Sequence, residues 1–216
     1  MKYISYDNAK FNFAALYESV IGIAPLHSLH TSELNTYNTI LERKHDQHTV
    51  FHRTYYDNFE SIFKPVYDQF IKEVIRPVYD SSIVYQTIPT FRVHLNGNIA
   101  VGEYHKDKWY RDEQWHTDVQ EDNFFLPFTD AFGNNTIWAE TQEDKGDFTP
   151  IECKYGQVVQ WNGTNLTHGN KTNDTDHTRV SFDFRVMKFA NYRPSTKGSI
   201  NMNTKFQIGD YYTLLD

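Results

Sequence analysis

The run Arg179-Val180-Ser181-Phe182-Asp183-Phe184-Arg185 alternates polar and apolar residues without a break. A strand repeats every two residues, so Arg179, Ser181, Asp183 and Arg185 share one face while Val180, Phe182 and Phe184 share the other. The aromatic face has to be buried against a core. The opposite face, with two arginines, a serine and an aspartate, suits the wall of a polar site. A chain carrying this strand must therefore supply a hydrophobic layer on one side and polar partners on the other.

The hydrophobic layer is legible before the strands begin. Phe13, Leu16, Tyr17 and Val20 fall at three-and-four spacing with Gly22 as a stop, which predicts a helix over residues 12–21. Thr31 or Ser32 is placed to cap a second helix reaching Lys44. Tyr55, Phe59, Ile62, Phe63, Val66, Tyr67, Phe70, Ile71, Val74 and Ile75 form a longer helical stripe, divided or kinked at Pro65 and ended by Pro77. Such a stripe is read as packing on a sheet. His45, His48 and His52 also share helical spacing, but nothing completes a zinc site around them, and a solvated face is the expectation.

Strand chemistry takes over after Pro77. Candidates are residues 83–85, 90–95, 99–105, 123–128, 136–140, 148–153, 157–161, 165–168 and 178–188, separated by Gly, Asn or Asp turns. Asn96-Gly97-Asn98 predicts a hairpin between the second and third of these. From residue 90 onward the count is eight, as in a double Greek-key jelly roll. The expected fold is therefore α+β: a double-stranded β-helix (jelly-roll) core with supporting N-terminal helices. Residues 1–216 are read as a single domain, since one core is normal up to ~250 residues. Within it, 1–82 is mainly helical support, 83–190 the jelly-roll core with the site, and 191–216 a C-terminal tail, irregular but docked through Phe206, Tyr211 and Tyr212.

Composition narrows the function classes. The net charge is −7, and no run of Lys or Arg tracks a phosphate backbone, so nucleic acid is not an expected partner. No apolar run approaches the ~20 residues of a membrane helix, so no membrane partner is expected either. The single cysteine, Cys153, cannot form an internal disulfide, and the N-terminus lacks the apolar core of a signal peptide. A cytoplasmic location is expected.

The polar partners lie in Glu103-Tyr104-His105-Lys106-Asp107, where an extended backbone puts His105 and Asp107 on one side. With His168, read as the end of the strand 165–168 before a turn at Gly169, they make two imidazoles and one carboxylate. That set occupies one face of an octahedral ion and leaves three positions open, the arrangement of non-haem Fe(II) oxygenases. A second His-x-Asp, His116 with Asp118, satisfies the same geometry. The first is preferred because a strand end holds a ligand more rigidly than the charged segment around His116.

From residue 91 to 186 the sequence resembles the Fe(II)/2-oxoglutarate-dependent oxygenases. It looks most like the branch that contains streptomycin-biosynthesis-type proteins, through Tyr104-His-Lys-Asp107, Phe124-Phe-Leu-Pro-Phe-Thr-Asp-Ala131, Asn135-Thr-Ile-Trp138, His168-Gly-Asn170 and Arg179-Val-Ser-Phe-Asp-Phe-Arg-Val186. The resemblance implies Fe(II) held by His105, Asp107 and His168, with 2-oxoglutarate and O2 as cosubstrates and succinate and CO2 as products. It also implies that Arg179 takes the far carboxylate of 2-oxoglutarate in a bidentate contact, with Ser181 as a hydroxyl donor beside it. Asn123, Tyr104, Thr136 and Trp138 are further candidates to contact the cosubstrate. Arg185, His116 and Trp109 are candidates to contact the substrate. The implied reaction is hydroxylation of an unactivated C–H of a small polar metabolite, such as an amino acid or a natural-product intermediate. A cupin-like metal-dependent isomerase or epimerase, or a non-catalytic jelly-roll binding module, are the rival readings, and neither needs Arg179 and Ser181.

Overall fold

A computed structural model of the chain describes residues 1–35, 49–100, 103–107, 121–195, 197–199 and 204–216. It opens with strand β1 (Lys2–Ser5) and helix α1 (Phe13–Ile21). Asn12 caps α1 by accepting from the Ala15 N–H, and Gly22 ends it in the left-handed region at φ 73°. The helix expected from Thr31 or Ser32 does not start there. Those residues instead close a 3-10 turn, Leu26–Thr31, where the Ser32 N–H and hydroxyl both return to the Leu29 carbonyl. A hydroxyl turned backward in this way cannot cap a helix on its C-terminal side, and residues 36–48, with His45 and His48, lie outside those described. His52 is buried rather than solvated, sharing a hydrogen bond with Thr49 and packing edge-on against Phe91.

The long aromatic stripe is a helical rod in pieces: α2 (Val50–Asp57), a π-helical turn at Phe59–Phe63, α3 (Lys64–Phe70) and a second π-helical turn at Ile71–Ile75. Pro65 sits in the first turn of α3, directly after the widened turn. Widening gives the prolyl ring room where a regular helix would bring it against a preceding carbonyl.

Seven antiparallel strands form the main sheet: β1, β2 (Ile83–Gln86), β3 (Thr90–His94), β4 (Asp122–Pro127), β7 (Gln157–Trp161), β9 (Arg179–Lys188) and β12 (Tyr212–Leu215). Its order is β1-β7-β4-β9-β2-β12, and β3 pairs with the other end of the same β9 edge that β2 uses. A second sheet joins β5 (Ile137–Ala139), β6 (Thr149–Pro150) and β8 (His168–Asn170), and β10 (Gly198–Ser199) pairs with β11 (Thr204–Lys205).

The two faces of β9 behave as its alternation requires. Phe182 and Phe184 pack with Phe13, Tyr67 and Phe124 in the core shared with the helices. On the other face Phe125, Val159 and Trp161 pack with Ala131, Ile137, Ala139, Ile151 and Cys153, beneath the smaller sheet. The main sheet is thus sandwiched between helices and a second sheet.

Several expectations are corrected. Residues 191–216 are not an irregular tail, because β12 closes one sheet edge on β2. Residues 2–5 are not helical support, because β1 closes the opposite edge on β7. The hairpin between 90–95 and 99–105 is absent among the described residues. β3 pairs with β9, whose alternation it matches, and the Gly97 turn docks on Asn173 through paired backbone hydrogen bonds. The candidate strand 148–153 shrinks to Thr149–Pro150 plus a bridge at Cys153. No helix among the described residues is long and apolar enough to cross a membrane.

Candidate metal centre

Facing positions on antiparallel strands share a face, so the register composes the site floor: Asn123 lies opposite Arg185, Phe125 opposite Asp183, Arg92 opposite Ser181 and His94 opposite Arg179. Above this floor the segment carrying His105 meets β8. The His105 N–H donates to the His168 carbonyl and the His168 N–H returns to the His105 carbonyl, each at 2.9 Å. His168 therefore begins its strand rather than ending one. Gly169 is needed for close approach and not for a turn: a Cβ there would lie 3.1 Å from the Tyr104 ring and 3.2 Å from the Glu103 carbonyl.

His105, Asp107 and His168 converge with one ligand atom from each within 4.8 Å of the others. His105 Nε2 is 3.7 Å from Asp107 Oδ1, and His168 Nε2 is 4.0 Å from the same oxygen. His105 Nδ1 faces the Glu103 carbonyl at 2.8 Å and His168 Nδ1 the Leu166 carbonyl at 2.9 Å. A carbonyl only accepts, so each Nδ1 carries a proton and each Nε2 is the ring nitrogen turned toward Asp107. Asp107 Oδ2 is engaged elsewhere, accepting from Asn123 Nδ2 at 2.9 Å and pairing with Arg185 Nη2 at 3.0 Å. Its Oδ1 is left to the histidines.

The charges suit a divalent cation. Burial alone would raise the Asp107 carboxyl, but Arg185, His168 and the Asn123 amide together hold it below the usual carboxylate range. Burial lowers the His168 imidazole and outweighs the attraction of Asp107. An ionised carboxylate and a neutral imidazole are the forms a metal needs.

Arg179, Asp183, Arg185, Asn123, Arg92 and Trp161 line the same cavity as the triad. Arg179 is 1% exposed, with its guanidinium over the Phe125 ring. Ser181 is fully buried, does not itself line the cavity, and its hydroxyl has no hydrogen-bond partner among the described residues. Other proposed contacts lie elsewhere. The Thr136 hydroxyl donates to the Ile151 carbonyl, Trp138 donates to the Gly133 carbonyl with Lys171 over its ring, and Tyr104 packs on Phe148 while partly exposed. Their side chains are committed to the scaffold and do not line the cavity. Asn123 does line it, with its amide spent on Asp107. Arg185, read from sequence as a substrate contact, is likewise turned onto Asp107. Trp109, His116 and Asp118 lie outside the described residues.

The structure adds residues that the sequence did not single out. Trp161 meets His168 edge-on at 4.7 Å, and its buried indole N–H has no hydrogen-bond partner among the described residues. His94 has both ring nitrogens against carbonyls, of Asn135 and Asn98. Burial, reinforced by the Arg179 charge, pushes its pKa down to about 3 against the opposing pull of those carbonyls. His94 and Arg92 were reachable by the same two-residue period that exposed β9. Trp161 was not, since its strand carries no comparable polar face.

No protein-family model matches the chain. Among solved structures it is similar to the non-heme monooxygenase ThoJ in a nickel complex, at 14% identity, 86% coverage of this chain, 71% of that one and a TM-score of 0.47. It is also similar to HygX from Streptomyces hygroscopicus with nickel, 2-oxoglutarate and hygromycin B bound, at 10% identity, 64% and 72% coverage and a TM-score of 0.40. In sequence it is 35% identical over 209 residues, 97% of its own length and 96% of the other, to the streptomycin biosynthesis protein StrG of Streptomyces griseus. The chain belongs to the StrG family.

Proposed function

We propose that the protein is a non-haem Fe(II)- and 2-oxoglutarate-dependent dioxygenase that hydroxylates an unactivated C–H of a small polar metabolite. The observation that carries this reading is the convergence of two imidazole nitrogens and one carboxylate oxygen on the wall of a cavity that also holds buried Arg179. The donor set fits Fe(II): His105, Asp107 and His168 would hold the ion and leave it open toward the cavity. A buried hydroxyl without a partner among the described residues, Ser181, two residues along β9 from a buried guanidinium fits an incoming carboxylate. With Fe(II), 2-oxoglutarate and O2 bound, the site would have the oxidising chemistry to insert one oxygen of O2 into C–H, the other oxygen leaving in succinate as CO2 is released.

The chain's own residues do the positioning. Arg179 and Ser181 take the far carboxylate of 2-oxoglutarate and set its direction. Asn123 and Arg185 hold Asp107 so that one oxygen faces the ion. The aromatic layer behind β9 and the smaller sheet keep bulk water from the cavity walls. On this reading residues 1–216 form one domain, its two sheets are the halves of a double-stranded β-helix, and it works in the cytoplasm on a small molecule rather than on nucleic acid or a membrane.

The test is succinate formation from 2-oxoglutarate with Fe(II) under air, repeated with a metabolite library. Failure of every member to stimulate 2-oxoglutarate turnover, in protein that binds the metal, would leave the isomerase or binding-module reading.

A further inference from the structure

His168 stands between two neighbours: Ala139 of β5 faces it on one side and His105 on the other. Glu140, the residue after β5, closes the first of these pairings with its side chain. Its N–H donates to the Thr167 carbonyl at 3.0 Å, but the Thr167 N–H returns to the carboxylate, with Oε2 at 2.8 Å. The other oxygen, Oε1, accepts from the Gly146 N–H at 2.8 Å. Glu140 is 3% exposed. The Gly146 N–H, with those of Thr167 and Asp144 and the Thr167 hydroxyl, holds its carboxyl below the usual carboxylate range against the effect of burial. A buried carboxylate is a costly way to fill space unless both of its oxygens are needed as acceptors. Residues 141–148 then reach the far side of β8. Lys106, between the ligands His105 and Asp107, pairs with Asp144 and lies 3.5 Å from Glu143 Oε1. Tyr104, just before His105, meets Phe148 edge-on at 4.6 Å.

We propose that residues 140–148 staple the two histidine-bearing segments together, and that Glu140 is the positioning residue that sets the separation of His105 and His168. This rests on the reading of His105, Asp107 and His168 as the metal centre. The two histidines share one backbone bridge, and each Nε2 stands at the far end of its ring, so a small rotation about the bridge is magnified where the ion binds. The staple ties the chain on either side of that bridge, at Thr167 and at Tyr104 and Lys106, and so opposes the rotation. Glutamate is what the position requires. A glutamine would turn its NH2 toward one of two N–H donors, and an aspartate lacks the reach to hold both.

The experiment uses the full chain and Co(II), whose visible absorption reports the geometry of its ligands. Co(II) affinity is measured by competition with a chelator in the wild type, Glu140→Gln, Lys106→Met and the double variant, with the Tm of each metal-free protein beside it. Each single variant is expected to bind Co(II) about tenfold or more weakly, with an altered spectrum. The double variant should bind little more weakly than the worse single one, because both changes open the same staple. A Glu140 that only supports the fold would lower Tm and leave Co(II) affinity and spectrum at wild-type values. That result overturns the proposal, and so do additive losses. If Glu140→Gln does not fold, Lys106→Met decides: weaker binding with an altered spectrum supports the staple, and wild-type values overturn it. A wild type that binds no Co(II) removes the metal centre and the staple with it, whereas normal binding in the wild type and the variants alike removes the staple alone.

Discussion

Asp107 and Arg185 meet at 3.0 Å through Oδ2 and Nη2, so the carboxylate that faces two histidines with one oxygen is clamped by a guanidinium on the other. Glu121 Oε2 lies 3.8 Å from Arg185 Nη1, and its other oxygen accepts from the Tyr212 hydroxyl on the C-terminal strand. A chain of contacts thus runs from β12 to a metal ligand.

Arg185→Ala is expected to act on the metal and not on the substrate. It strands a buried carboxylate, costing about 3–5 kcal/mol of stability. Loss of an outer partner lowers metal affinity about 10- to 100-fold. Urea unfolding and competition with a chelator measure the two effects. Metal affinity equal to wild type would return Arg185 to the substrate.

Arg179→Ala should raise the 2-oxoglutarate requirement by about thirty-fold to several-thousand-fold, the ~2–5 kcal/mol lost when one partner of a buried charge pair is removed. Arg179→Lys should recover only part, because an ammonium lacks the planar fork. Succinate release as a function of 2-oxoglutarate concentration is the measurement. An unchanged requirement removes Arg179 from the cosubstrate site.

His105→Ala and His168→Ala should each abolish tight metal binding, and His116→Ala should not. Adding Ni(II) to the wild type should raise Tm by mass action, and that rise should vanish in the first two variants. Normal binding in His105→Ala with loss in His116→Ala would transfer the site to His116, Asp118 and His168.

Gly163→Ala tests the support beneath Asp107. A Cβ there would stand 2.8 Å from Asn123 Nδ2, the atom that donates to Asp107 Oδ2. The amide must move, and metal affinity should fall about tenfold or more. Asn123→Ala should give a similar loss and the double variant little more, because both changes remove one contact. Additive losses, read by calorimetry, would mean that Gly163 acts by another route.

Much of this was legible in the chain because it depends on local geometry. The two-residue period of β9 sorted Arg179, Ser181, Asp183 and Arg185 onto one face, from which Arg179, Asp183 and Arg185 line the cavity, and the three-and-four spacing from Tyr55 to Ile75 marked the rod that buries Phe182 and Phe184. Gly22 ended α1 because, lacking a Cβ, it takes the left-handed conformation without strain. These patterns arise from sterics and hydrogen bonding within a few residues, so no distant partner is needed to read them.

The features that stayed hidden were decided by partners far along the chain. Lys2–Ser5 and Tyr212–Leu215 are too short for a period to show, and they become strands because the β7 and β2 edges offer backbone groups to satisfy. Tyr104 adjoins His105 in sequence and Trp138 pairs across to Gly169 beside His168, yet their side chains and that of Thr136 turn into the scaffold, while Trp161 reaches His168. Alternation put Arg185 on the correct face, but only the opposition of Asn123 and Arg185 across β4 and β9 sends it to Asp107. The sequence by itself determined which face each residue occupies, because that is set by backbone period. The tertiary structure decided which charge each residue meets, because pairing depends on distances between strands that the chain brings together only on folding.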